Sequence, residues 1–241
     1  MRGTTLRRRL KVAVLVIAVL GAPALAAASS DGAPGPSAAF ELHQALHDAT
    51  TEGWVLETGE VHRNGSLVGL ELNQIGTNEG GQISTFGTGV TTLIALDQER
   101  KIYIKGNSAG LVDSFSMSKA QAATYANKWL LMTPSNSKYR EVAEATTLSS
   151  DFGEIRFTGP LIMSPVHAFG GQEVRTITGT LAPGGGLPSR TGTLYVSASG
   201  RLLPIGIDEV FGIYTITEAW SKWGRNPHPR IPTTALPFPS S

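Results

Sequence analysis

The sequence predicts an α+β protein in which an antiparallel meander of about ten or eleven strands carries two or three helices. Three observations lead there. Runs of alternating polar and apolar residues follow one another with only a turn between them, leaving no room for the crossover helices that parallel strands require. Glycine (28) and proline (14) are frequent while charged residues make up 16%, a composition that suits a turn-rich sheet better than a charged helical bundle. Helical periodicity is confined to three stretches.

The N-terminus reads as a secretory signal over residues 1–26. Arg2, Arg7, Arg8, Arg9 and Lys11 precede the apolar run Val12–Leu20, and Ala24-Leu25-Ala26 offers a small-x-small cleavage site. Gly21 and Pro23 interrupt the run too early for a membrane span. A twin-arginine route remains open beside the general one. Cleavage removes five basic and no acidic residues, leaving 15 basic against 19 acidic. A mildly acidic mature chain without basic clusters is not built for nucleic acid or an anionic membrane surface. Cysteine is absent, which excludes disulfides, thiolate metal sites and a lipidated cysteine after the signal.

Residues 27–37, small and proline-bearing, form a flexible linker. Ala39, Leu42, Leu46 and Ala49 then share one face of a helix over Ala38–Thr50. Trp54–Arg63 and Ser66–Ile75 flank Asn64-Gly65, the strongest short hairpin signal. The overlapping sequon Asn64-Gly65-Ser66 is read as this turn. Strands follow near Gln82–Phe86, Val90–Leu96 and Lys101–Lys105. Ser118 and Gln121 form a capping box, and Ala122, Tyr125, Ala126, Trp129 and Leu130 extend an apolar stripe along the helix it opens. Ser137–Ala145 makes a shorter helix. Five more strands complete the domain over residues 38–225: Glu154–Met163, Glu173–Leu181, Gly192–Ala198, Arg201–Glu209 and Ile213–Trp223. The proline-rich tail 226–241 cannot join a central strand and runs extended over the surface.

Chemistry-bearing patterns are few. Gly106-Asn107-Ser108-Ala109-Gly110 matches the nucleophile elbow, in which a strand-to-helix turn exposes a serine, with Asp151/His167 or Asp208/His228 as downstream partners. Against a serine hydrolase stand the missing parallel sheet, the missing oxyanion loop and a helix cap only at Ser118. His43 and His47 stand four apart, but two imidazoles without a third ligand read as a solvated helix face. Gly184-Gly185-Gly186 lacks the lysine that would make it a phosphate cradle.

The order helix, five strands, two helices and about five strands resembles the LolA-like half-barrel carriers, and more closely the LppX/LprG group of bacterial lipid-binding exported proteins. KIYIKGN, AQAATYANKWLLMTPSNSKY, FTGPLI, TGTLYVSASGRLLPIGI and AWSKWG carry the likeness, across roughly residues 38–225. It implies a curved antiparallel half-barrel covered by helices on its concave side. It also implies an apolar cavity for a lipid or other hydrophobic ligand, no cofactor, no catalysis, and loading or unloading proteins of the cell envelope as partners. The expected lining is Leu70, Leu72, Ile94, Ile104, Phe115, Tyr125, Trp129, Phe157, Ile177, Val196 and Ile213, each of which is equally an ordinary core position. An interaction module with a filled core is the alternative. One departure from the group is the absent lipidated cysteine, so membrane tethering is not implied.

Overall fold

A computed structural model describes residues 37–96, 99–143, 147–184, 186–225 and 229–239. The signal and nearly all of the linker lie outside these residues. Ser37 caps helix α1 (Ala38–Thr51) by accepting from the Phe40 amide. Its buried line is Glu41, Ala45 and Ala49, with Leu42 and Leu46 half-buried beside it, while Ala39 is exposed. The face is rotated from the expected one because the Glu41 carboxylate is drawn inward to the Arg175 guanidinium.

Asn64 and Gly65 both take positive φ, 49° and 77°, as a tight hairpin turn requires. From this turn β1 (Trp54–Arg63) and β2 (Ser66–Gly76) run antiparallel. The meander continues through β3 (Glu79–Phe86), β4 (Gly89–Leu96) and β5 (Lys101–Gly106). Three short helices and a strand follow in the order α2 (Ser108–Phe115), α3 (Lys119–Tyr125), β6 (Leu130–Met132) and α4 (Tyr139–Ala143). Helix α5 (Leu148–Gly153) precedes β7 (Phe157–Met163), β8 (His167–Phe169), β9 (Gln172–Leu181), β10 (Arg190–Ser197), β11 (Pro204–Phe211) and β12 (Tyr214–Ser221), and the tail adds β13 (Leu236–Pro237).

These strands form one open, curved sheet in the order β13-β6-β5-β4-β3-β2-β1-β12-β11-β10-β9-β7, with β8 also paired to β9. Only β13, parallel to β6, departs from antiparallel pairing. The extra strands beyond the expected ten or eleven are the short β6, β8 and β13. The tail thus docks at an edge, where a proline that lacks an N–H does no harm.

Two local readings change. The capping box at Ser118 is formed, but its helix ends at Tyr125, because Ala126 is extended and Asn127 takes φ 61°. Leu130 and Met132 are then buried on alternate positions of β6, so Leu130, expected on the helix, lies on the sheet. Helix α2 was not expected at all. Asn107 caps it, its side-chain oxygen accepting from the amides of Gly110 and Val90 at 2.8 and 3.1 Å.

Two apolar clusters occupy one face of the sheet, called inner here. One packs α2, α3 and α4 on Ile102, Ile104, Leu130 and Met132. The other packs α1 and α5 on Ile177, Leu181, Leu194, Val196, Ile207 and Trp220. Phe152 of α5 sits between the rings of Trp220 and Trp223, at centroid distances of 5.1 and 5.5 Å. Because Phe152 is buried and clasped on two sides, Phe152→Ala leaves a cavity, and the expected loss is about 3–5 kcal/mol by urea denaturation. A loss below about 1 kcal/mol would contradict this packing.

Candidate functional site

The site is built by register. Glu218, Gly59, Glu71, Ser84, Thr91 and Gly106 are successive Cα partners on β12, β1, β2, β3, β4 and β5, so one row of polar and small residues crosses the inner face between the two clusters. The next row runs Trp220, Glu57, Asn73, Gln82, Leu93, Ile104 and Leu130, passing from an aromatic through polar groups to aliphatic side chains. Ser84 donates to Glu71 at 3.1 Å, and both are half-buried, as is Gln82. The strip therefore has wet groups along its middle and dry ones at either end.

Glu57 is the most constrained of these. Its carboxylate accepts from Asn73 Nδ2 at 2.5 Å and from Trp220 Nε1 at 2.8 Å. Burial pushes this carboxyl well above its ordinary value of 4.5, and the neighbouring charges of Asp151, Glu218 and Glu71 add to the shift; the Trp220 bond opposes it. Farther along the inner face, Arg190 and Glu209 form a buried two-pronged pair, Nε to Oε2 at 2.5 Å and Nη2 to Oε1 at 3.1 Å. A carboxyl with a raised value holds its proton when folded at pH values where the unfolded chain has released it, so its contribution to stability declines as pH rises above 4.5. Glu57→Gln removes that decline. Its melting temperature should match the wild type near pH 5 and exceed it progressively towards pH 8; an equal loss at both pH values would contradict the assignment.

The expected lining residues divide by face. Ile104, Ile177 and Val196 are fully buried on the inner face, Phe115 is buried against the same side, and Tyr125 and Phe157 are half-buried against the clusters. Leu70, Leu72 and Ile94 fall on the opposite face. Leu72 is exposed there, whereas Ile94 is buried beside Gly81, where an added Cβ would stand 3.6 Å from Pro229 of the tail. Trp129 is half-buried with the Lys105 ammonium 5.8 Å from its ring centre, and Ile213 is exposed in the β11–β12 turn. Sequence reasoning missed the polar row altogether, although Glu71 and Asn73 stand two apart on one strand of the hairpin it identified, with Glu57 on the other.

Two openings lie at one end of the sheet. A cleft of about 590 Å³ is bordered by Arg100, Pro134, Tyr139, Arg140, Ala143 and Ser149, among others, and shares Thr77 with a second of about 340 Å³ beside Trp54 and Leu96. Tyr139 and Ala143 also belong to the first apolar cluster, so the larger cleft abuts the interior.

The elbow pattern has a packing explanation. Helix α2 starts directly at Ser108, so the strand-to-helix turn is present, contrary to the expected delay before the cap at Ser118. A Cβ on Gly110 would stand 2.4 Å from the Val90 carbonyl oxygen, and one on Gly106 3.0 Å from the same atom. The two glycines let α2 lie on β4. Ser108 Oγ donates to the Ala122 carbonyl at 3.5 Å, and among the described residues no histidine bonds to it. Asp208 accepts from Tyr195 and Thr217, each at 2.8 Å. Its suggested partner His228 lies outside the described residues. His43 and His47 are exposed and stacked, and the described residues contain no cluster of three or more metal-ligating side chains. Gly110→Ala should cost about 2 kcal/mol or more by forcing α2 off β4, while Ser108→Ala stays within about 0.5 kcal/mol of wild type in the same denaturation assay. Equal effects would contradict the packing account.

No protein-family model and no curated protein sequence matches the chain. Solved structures do. LprF from Mycobacterium bovis is 14% identical, with 87% of this chain and 100% of that chain covered at a TM-score of 0.50. Lipoprotein LppX from Mycobacterium tuberculosis is 15% identical, with 80% and 96% covered at 0.48. A putative outer membrane lipoprotein-sorting protein domain from Vibrio parahaemolyticus is 8% identical, with 76% and 89% covered at 0.29. At such identities a likeness speaks to fold alone, and the LprF match, spanning that whole chain, is the one that carries it. The chain has a LolA/LppX-like fold.

Proposed function

We propose that this protein is a non-catalytic, extracytoplasmic binding protein or carrier for a lipid or other hydrophobic ligand, held between the inner face of the sheet and its helices. The observation that carries this reading is the division of the inner face into two apolar clusters, each roofed by its own helices, four of the five helices being short, with a polar row between them. Helices of five to eight residues have little stability of their own and depend on the packing beneath them, so an acyl chain can replace part of that packing at modest cost. Burial contributes roughly 0.8 kcal/mol per methylene, so a chain of about 16 carbons gains on the order of 13 kcal/mol before ordering costs. In this reading the acyl chain contacts Ile104, Phe115, Tyr125, Phe157, Ile177 and Val196, and the polar row faces the ligand's hydrogen-bonding groups. The N-terminal signal, residues 1–26, delivers the protein across the membrane, and no described helix is long and apolar enough to span one. Without a cysteine to lipidate, the mature chain is free to move between envelope partners that load and unload it.

A second reading is favoured by one observation. Ile104, Ile177 and Val196 are already completely covered by the chain itself, as in an interaction module with a filled core. Native mass spectrometry of the protein secreted by its own host, without detergent and again after solvent extraction, separates the two. A stoichiometric adduct that disappears on extraction is the expected result. A clean apo mass in repeated preparations would overturn the carrier and leave the module.

A further inference from the structure

We infer that the C-terminal segment 229–239 is a detachable strap that closes the β6 edge of the inner face, with Phe238 as its latch; resting on the ligand reading above, its release is what admits an acyl chain to the first apolar cluster. Three contacts set its path. Pro229 lies on the outer side of the sheet, where a Cβ on Gly81 of β3 would stand 3.6 Å from it. By Leu236 the chain has passed β4 and β5 and pairs with the edge of β6, Leu236 beside Leu130 and Pro237 beside Leu131. Phe238 then sets its ring on the inner side, 5.8 Å from that of Phe115 at an angle of 66°, and packs on the first apolar cluster.

Little holds the segment there. Among the described residues its hydrogen bonds run from the Leu236 and Phe238 amides to the Trp129 and Leu131 carbonyls, each at 2.8 Å. Pro229, Pro232, Pro237 and Pro239 have no N–H to add. Leu236 and Pro237 are exposed and Phe238 is half-buried. A cavity of about 320 Å³ separates Thr234, Ala235 and Leu236 from Lys128 and Trp129, so the strap does not pack down along its whole length. β6 itself is different, with Leu130 and Met132 fully buried and its backbone laddered to β5. A segment with few buried contacts and few hydrogen bonds opens at low free energy while the strand beside it stays closed.

Phe238 gives that opening a consequence. Its contact, Phe115, is one of the residues that the ligand reading assigns to the acyl chain. Lifting the strap uncovers that ring together with the Trp129 and Leu131 carbonyls. Setting it back covers an empty and a filled cluster alike. Such a strap scales entry and exit by the same factor, its open fraction, and leaves the affinity nearly unchanged. A residue that merely touched the ligand would change the affinity, mainly through the release rate.

Because the chain has no cysteine of its own, a disulfide can lock the strap without competing thiols. Leu131 is half-buried, Pro237 is exposed, and as Cα partners on neighbouring strands about 4.8 Å apart they fall within disulfide reach. The full secreted chain, the same chain with Leu131→Cys and Pro237→Cys, and Phe238→Ala are compared by stopped-flow fluorescence of cis-parinaric acid. Oxidising the pair should slow uptake and release by about tenfold or more, and reduction should restore both. Phe238→Ala should speed both, with the dissociation constant staying within about threefold of wild type. Hydrogen exchange reads the strap without ligand: the Leu236 and Phe238 amides should exchange at least about a hundredfold faster than those of Ile102 and Ile104 in β5. Rates indifferent to the lock and to Phe238→Ala overturn the gate and leave the cleft beside Tyr139 as the way in. A change confined to release makes Phe238 a ligand contact and overturns it equally, as do tail amides protected as well as those of β5. If no form takes up the fatty acid, the carrier reading falls; fast exchange of the tail amides then leaves the detachable strap standing, and slow exchange removes it too.

Discussion

The inner face depends on the pairing of β1 with β12. That ladder joins the N-terminal meander to the C-terminal one, bringing Leu56 of β1 opposite Ser221 and Arg63 opposite Tyr214. It closes over a separation in sequence of some 150 residues, so its entropic cost is met only when both meanders are folded. Because side chains alternate, this register decides which faces of the two meanders share the side covered by the helices. It sets Glu57 beside Trp220 and Gly59 beside Glu218, and so creates the polar row. Gly59 leaves the floor low between Glu71 and Glu218, where a Cβ would be 3.6 Å and 3.9 Å from their side chains.

A polar row in the interior of a sheet is costly unless its groups are bonded or reachable by water. Here both solutions occur. Glu57 is satisfied by Asn73 and Trp220 and favours its neutral form, whereas Glu71 and Ser84 bond each other at a half-exposed position. The row keeps the two apolar clusters from merging into one dry core. That separation is the physical basis for reading the helices as a cover over two apolar surfaces with a wet seam between them, which suits an amphiphile better than a purely apolar guest.

The same row explains what the sequence made legible. Helix α1, the hairpin and its turn, three further strands of the first meander and five strands of the second were readable, because period and turn chemistry are local. The face of β2 was not. Leu70 and Leu72 look inward under the rule that apolar residues are buried, yet Glu71 and Asn73 hold the inner positions, so the rule is inverted where the interior is polar. Helix α2 escaped because its eight residues begin in a glycine pattern that reads as a loop; Leu111 and Phe115, four apart, were the available sign. Helix α5, six residues with no side-chain cap, is too short for periodicity to register. Ile94 is buried beside Gly81, whose outer side faces Pro229 of the tail more than a hundred residues away, a proximity that no local pattern contains.

The proposed function makes one central claim, that an amphiphile enters between the helices and the inner face and displaces part of their packing. The most direct measurement is photocrosslinking with a fatty acid that carries a diazirine in its chain, followed by peptide mapping of the adducts. The account predicts adducts in the peptides that contain Ile104, Phe115, Ile177 or Val196, and protection of these by an unlabelled lipid. Adducts confined to Leu70, Leu72 and the rest of the outer face, or labelling that an unlabelled lipid does not compete away, would contradict it.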